Sequence, residues 1–321
     1  MVNPHATRLR PRRTCLAVPG SSERFLAKAQ QLESDQVFLD LEDSVAPAAK
    51  EDARGKVVAA LREGAWGDRL RVVRVNDWTT AWTYEDVIAI VRGAGASLDA
   101  VMLPKVQNVS HVVALDLLLT QLERTAGLPE GRIGIEAQIE DAEGLQNIDA
   151  IAASSPRLEA LVFGPADFMA NLHMRSLSVG GDPRGYDGDA LHYLLMRILV
   201  AARANGLQAI DGPFGAVQDT EGFRRVAERS AALGYDGKWA LHPAQIPIGN
   251  EVYSPTQAEY DQAENMIAVH DWHAAPENGA IGAVMLGDTF VDEATRKMAA
   301  VLAAKGRAAG MTRRDTWTPS A

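Results

Sequence analysis

Residues 132–168, RIGIEAQIEDAEGLQNIDAIAASSPRLEALVFGPADF, read as strand, helix, strand. IGIEAQIE alternates and is rich in isoleucine, which fits a strand. GLQNIDAIAASS carries Leu145, Ile148 and Ile151 at helical spacing, and LEALVFG is an apolar run short enough for a second strand. Glu140 closes the first strand and Asp167 lies just past the second. In a parallel sheet both carboxylates emerge at the same C-terminal edge. Two oxygen donors meeting there, beside Gly164 and Pro165, suit a hard cation such as Mg²⁺. The competing reading is that each acid caps the helix that follows it, a common use of acidic residues.

The same alternation extends in both directions. Towards the N-terminus, TCLAVPG, QVFLDLED, LRVVRVN and DAVMLPKV are short apolar runs, each followed by a segment of helical spacing. SSERFLAKAQQLES opens on a serine cap, and PAAKEDARGKVVAALREG has Pro47 near its first turn and Gly64 at its end. Beyond the central stretch, LQAIDGPFG and YDGKWALHP supply the seventh and eighth runs. Eight strands alternating with amphipathic helices predict an α/β fold, a (β/α)₈ TIM barrel. A doubly wound sheet is the competitor, but no G-x-G-x-x-G follows the first strand. The expected organisation is a basic N-terminal arm (1–13), a barrel (14–249) and a C-terminal helical extension (250–321). That extension would pack on the barrel or on a neighbouring subunit. Arg8, Arg10, Arg12 and Arg13 make the arm either an unstructured tail or a basic strip for ligand phosphates. Residues 169–189 hold four glycines and little periodicity, as functional or mobile loops do.

The chain has 321 residues and a net charge of −10, which argues against a nucleic-acid binder relying on a general basic surface. Cys15 is the only cysteine, so no internal disulfide forms, and a reducing, cytoplasmic setting is expected. Cys15 sits in an apolar run and reads as core filler. No apolar run reaches the roughly 20 residues of a membrane span, and no apolar core follows the basic N-terminus to make a secretory signal.

In a barrel of this type the chemistry lies at the C-terminal strand ends. The polar residues expected there are Asp40, Glu42 and Asp43 from the second strand, Arg74 and Asn76 from the third, and Lys105 from the fourth. Glu140, Asp167 and Asp211 follow from the fifth to seventh, then Lys238 and His242 from the eighth. Buried charges need partners. A cation on Glu140 and Asp167, with Glu42 and Asp43 behind them, would satisfy the acids. Arg74 could hold a carboxylate in a fork or stabilise an oxyanion, or it could pair only with Glu42 or Asp43. Lys105 could be a solvated loop lysine and His242 a hydrogen-bonded structural histidine. No HExxH, GxSxG or P-loop pattern occurs, which disfavours a histidine zinc site, a serine hydrolase and a P-loop nucleotidase.

LAVPGSSERFLAKA, VFLDLEDSVAPAAKEDAR, RVVRVN, LPKV, QIEDAEGL and ASSPRLEALVFGPADF, in this order, resemble the citrate lyase β-subunit-like group of the HpcH/HpaI aldolase superfamily. IDGPFG and GKWALHPAQI are more similar to the malyl-CoA lyases of that group. The resemblance implies a TIM barrel with Mg²⁺, or Mn²⁺ in its place, on Glu140 and Asp167. It implies Arg74 on the thioester carbonyl or substrate carboxylate. It places a CoA thioester over the mouth near Pro19, Ser22 and Lys28, with Pro165, Ala166, Leu241 and His242 as further contacts. It also implies a catalytic Asp292 reaching a neighbouring subunit's site, although Asp292 alone reads as the cap of the last helix. The implied reaction is cleavage of L-malyl-CoA or β-methylmalyl-CoA to acetyl- or propionyl-CoA and glyoxylate. Citramalyl-CoA cleavage, malyl-CoA thioester hydrolysis and a carrier-dependent lyase subunit are the alternatives. A homotrimer or homohexamer is expected, with no nucleic acid or membrane partner.

Overall fold

The computed structural model describes residues 10–181 and 186–319. The chain divides into a barrel unit running from Arg12 to Tyr253 and a second unit from Ser254 onward. In the first unit eight strands close in chain order, β1 (Thr14–Pro19), β2 (Gln36–Asp40), β3 (Leu70–Arg74), β4 (Ala100–Leu103), β5 (Gly134–Ile139), β6 (Leu158–Phe163), β7 (Gln208–Asp211) and β8 (Gly237–Ala240). Every neighbouring pair is parallel, and β8 closes on β1 through Thr14↔Lys238 and Leu16↔Ala240. The expected eight-stranded barrel is therefore the fold.

The connections are α1 (Glu23–Ala29), α2 (Lys50–Glu63), α3 (Thr83–Ala94), α4 (Val109–Thr125), α5 (Ala142–Gln146), α6 (Ile148–Ala152), α7 (Pro165–Asn171), α8 (His192–Ala204), α9 (Thr220–Leu233) and α10 (Gln245–Val252). Side-chain alternation sorts each strand into two environments. Leu16, Val37, Val73, Val101, Ile135, Leu161 and Ala209 point outward and bury against the helices. Cys15, Phe38, Val72, Met102, Val162, Ile210 and Trp239 fill the interior. Cys15 is core filler, as its apolar setting suggested.

The interior also holds a charge at the end away from the expected chemistry. Arg12, read from sequence with the basic arm, is buried beneath the barrel. Its Nε donates to Glu136 at 2.9 Å and Gln36 at 3.0 Å, and its terminal nitrogens reach Gln208 and Glu159. Arg13 forks onto Asp35. Neither is part of a phosphate strip, because each is committed to an acid beside the first residues of the strands. Arg8 lies outside the described residues.

The second unit consists of α11 (Gln257–Ala274), the antiparallel hairpin β9 (Ala283–Leu286) and β10 (Thr289–Asp292), and α12 (Glu293–Ala308). Thr256 and Glu259 form a capping box on α11. Ala263, Ala299 and Ala303 let α11 and α12 approach closely. The Gly-rich segment after β6 begins with α7, and 182–185 within it lie outside the described residues.

Candidate active site at the barrel mouth

β5 carries Glu136, Gln138 and then Glu140 on its inward face, a consequence of the two-residue period. Glu140 is 2 % exposed, at the mouth. Its Oε1 accepts the backbone N–H of Lys105 at 2.7 Å and its Oε2 accepts Gln138 Nε2 at 2.8 Å. Gly164 gives it room, since a Cβ there would stand 2.6 Å from Oε2. Pro165 then starts α7 and places the half-buried Asp167 in its first turn. Burial, then the charges of Glu42 and Asp167, push the Glu140 carboxyl well above the ordinary range. The two predicted ligand acids are therefore electrostatic neighbours.

Arg74 rises from the end of β3 over the packed rings of Trp239 and Phe38, 5.2 Å and 5.8 Å from their centroids. It forks onto Asp40 with bonds of 2.8 and 2.7 Å and reaches Glu42 at 3.0 Å. Two of its five N–H groups are hydrogen-bonded, both to Asp40, and Glu42 is held as an ion pair. Burial works against ionising Asp40, but the guanidinium overrides it and holds the carboxyl below its usual range. Glu42 shares the same guanidinium through one contact only, and burial leaves its carboxyl raised. Asp40 has the two-bond fork and the Ser44 and Glu42 N–H groups, while Glu42 also feels the repulsion of Asp43.

Lys105 completes the cluster. Its φ of 50° lies in the left-handed region, which costs a non-glycine residue ~1–2 kcal/mol. That turn aims the N–H at Glu140 while the ammonium bonds Glu42 and stands 3.7 Å from Asp43. Burial opposes the ammonium, yet the bond to Glu42 outweighs it and raises its pKa. Asp43 itself is exposed at the edge.

Other expected rim residues sit elsewhere. Asp211 and Lys238 point outward, because Ile210 and Trp239 beside them take the interior. Lys238 Nζ donates to Asp211 at 2.7 Å and to the Gly212 carbonyl at 2.6 Å, and Ser230 of α9 joins them. Asn76 holds Asp86 and the Leu41 carbonyl. His242 accepts the Ala244 N–H at Nδ1, the structural role open to it from sequence. It also lines a cavity of about 370 Å³ with Pro19, Phe25, Lys28, Leu32 and Leu241. Ser22 caps α1. Pro165 is buried and Ala166 exposed at the start of α7. Asp292 caps α12, and the Thr295 N–H and then its hydroxyl hold its carboxyl below the ordinary range. The upward shift a general base would need is not there. The sequence reading placed Asp40 at the rim without a partner and did not name Gln138, although polar residues two positions before Glu42 and Glu140 share their strand face.

The donors fit a hard divalent cation. The Glu140 carboxylate is buried among like charges, and Gln138 Oε1 is a buried acceptor with no partner. Among the described residues no three His, Cys, Asp or Glu are placed to hold a metal together. Two carboxylates, with the remaining positions left to small oxygen ligands, is the arrangement Mg²⁺ favours.

Residues 13–243 match the family HpcH/HpaI aldolase/citrate lyase. The chain belongs to that family. Among relatives of this aldolase/citrate lyase chain is an L-malyl-CoA/β-methylmalyl-CoA lyase of Cereibacter sphaeroides, 39% identical over 302 residues, covering 91% of this chain and 94% of the relative. A (3S)-malyl-CoA thioesterase of the same species is 38% identical over 261 residues, 81% of this chain and 84% of the relative. Among solved structures, protein CitE from Mycobacterium tuberculosis, in complex with magnesium, acetoacetate and coenzyme A, superposes with a TM-score of 0.67. It shares 27% identity and covers 93% of this chain and 98% of that one.

Proposed function

We propose that this protein is a divalent-metal-dependent carbon–carbon lyase that cleaves L-malyl-CoA, and β-methylmalyl-CoA, to acetyl-CoA or propionyl-CoA and glyoxylate. The observation that carries the reading is the like-charged pair of buried Glu140 and half-buried Asp167 beside an arginine that spends only two of its five N–H groups on hydrogen bonds. The lyase relative supports the substrate class, and the magnesium and coenzyme A of CitE support the cofactor and the thioester. Glu140 and Asp167 would hold Mg²⁺ or Mn²⁺, which when bound polarises the oxo-acid carbonyl. Arg74 turns its remaining N–H groups on the thioester oxygen and stabilises the enolate charge that appears as the C–C bond breaks. Asp40 and Glu42 keep that guanidinium aimed, and Asp43 adds negative charge at the edge. Pro165 and Ala166 seat the oxo-acid at the α7 N-terminus.

The cavity between β1, α1 and the β8 end receives the CoA portion. Pro19, Leu241 and His242 supply its walls. Lys28, exposed beside Ser22 and with no partner among the described residues, meets the CoA phosphates. A neighbouring subunit's Asp292 is the proposed group for proton transfer at the acyl α-carbon, where release from the Thr295 N–H and hydroxyl would restore the basicity those bonds take away. We assign the reaction to the cytoplasm and to a homotrimer or homohexamer. No helix among the described residues is long and apolar enough to cross a membrane.

The test is an assay of purified protein on L-malyl-CoA with Mg²⁺ or with excess chelator, trapping the released oxo-acid. Chelator-sensitive glyoxylate release is the expected result. Pyruvate release from citramalyl-CoA alone would reassign the substrate, free malate would mark the thioesterase chemistry of the second relative, and undiminished turnover in chelator would overturn the scheme.

A further inference from the structure

Among the described residues, Lys105 is the one that hydrogen-bonds both Glu42 and Glu140. Its backbone N–H holds Glu140 Oε1 at 2.7 Å, and its ammonium holds Glu42 Oε1. The other oxygen of Glu42 is taken by Arg74 at 3.0 Å. Glu42 is 3 % exposed and close enough to Glu140 for their charges to repel. Three carboxylates, Glu42, Glu140 and Asp167, thus share one mouth, yet among the described residues no three His, Cys, Asp or Glu are placed to hold a cation together. A free Glu42 would be a third hard oxygen donor, and a third carboxylate raises affinity for a divalent ion. Lys105 also holds a left-handed backbone with φ of 50°, a conformation that side-chain-bearing residues keep where the surroundings impose it. Here it serves both contacts at once, because an extended residue at 105 would not send its N–H and its side chain to acids on two different strands.

We propose that Lys105 is a positioning residue that withholds Glu42 from the metal, so that the cation is held by Glu140 and Asp167 alone and Glu42 stays on Arg74. The inference rests on the metal-dependent reading above. It carries an unusual signature. Removing the ammonium takes a cation away from the site and frees a carboxylate, so metal binding tightens. The same change slackens the Glu42–Arg74 contact, so turnover slows. General damage to the site would weaken both.

The experiment uses the full chain with K105G, in which glycine keeps the positive φ and the N–H but loses the ammonium, and K105M as a second variant. Mn²⁺ alone is titrated without substrate, followed by electron paramagnetic resonance. Melting temperature in chelator checks folding. The expected result is an Mn²⁺ Kd at least threefold lower than wild type, with kcat at least tenfold lower and KM for the CoA thioester within twofold. Adding E42Q to K105G should return the Mn²⁺ affinity to within twofold of wild type. Unchanged or weaker Mn²⁺ binding in both folded variants, or tightening that survives E42Q, overturns the proposal. Wild-type protein that binds no Mn²⁺ sinks the functional reading and this inference together. Wild-type protein that binds it, with K105G binding no tighter, sinks the inference alone.

Discussion

The two ends of the barrel hold the same kind of group, an arginine buried among carboxylates, and use it differently. At the N-terminal end Arg12 meets Glu136 and Glu159 with Gln36 and Gln208 around them, and neutral amides complete the network. At the C-terminal end Arg74 and Lys105 face Asp40, Glu42, Glu140 and Asp167, again two acids to each cation. One end is closed by side chains of the chain itself. The other keeps an orphaned acceptor on Gln138, a strained lysine and spare guanidinium N–H groups. The difference lies in hydrogen-bond satisfaction and not in the ratio of charges: the amide-completed network closes one end of the barrel, and the mouth is left with donors and acceptors that the chain does not satisfy.

The largest effect that could break this comparison is at the unsatisfied end, the mouth. Asp167→Asn should lower glyoxylate release about a thousandfold, since metal polarisation is worth several kcal/mol, while the melting temperature holds. Full turnover in that variant would remove the cation from the account. At the satisfied end, Arg12→Met leaves Glu136 and Glu159 buried without their partner. A loss of about 3–5 kcal/mol in urea unfolding is expected, with kcat of the folded fraction unchanged. Equal loss of activity per folded molecule would mean that the ends are not independent.

Gly164→Ala drives a methyl into the Glu140 carboxylate and should weaken Mn²⁺ binding about tenfold, in the range seen when the support of a metal ligand is disturbed. The pH dependence sharpens the contrast further. The Glu140 pKa is raised in the fold, so the folded protein holds a proton that the unfolded chain has lost. The associated stability is complete below the ordinary carboxylate pKa and disappears as pH rises through the raised one. In chelator, Glu140→Gln should therefore melt above wild type at neutral pH, and the gap should close towards pH 4. A gap that does not change with pH would contradict the burial of a charge at this position. The smallest effect is at the groove. Lys28→Ala should raise KM for the CoA thioester about threefold at low salt with kcat intact, because an exposed charge contributes little.

How much of this was legible differs residue by residue. Glu140 and Asp167 could be found because each follows an apolar run in a parallel sheet, and chain direction alone sends both to one end. Arg74 was found for the same reason, but its fork onto Asp40 was not, since contact between adjacent strands depends on register. Asp211 and Lys238 also stand at strand ends and were placed at the mouth. A strand end has two faces, and a shift of one residue moves a side chain from interior to helix layer. Arg12 was hidden by its neighbours, because arginines beside prolines read as a tail whatever space lies beneath the barrel.

The sequence by itself determined the alternation of strand and helix, the eightfold count and the edge at which the acids gather. Those depend on periodicity and chain direction, which are local. Only the tertiary structure decided which charges neutralise one another, that Lys105 adopts a left-handed turn to reach two acids, and that the far end is sealed by Arg12. The reason is that the energy of a buried charge depends on its distance to partners far away in the chain, and closure of the barrel sets those distances.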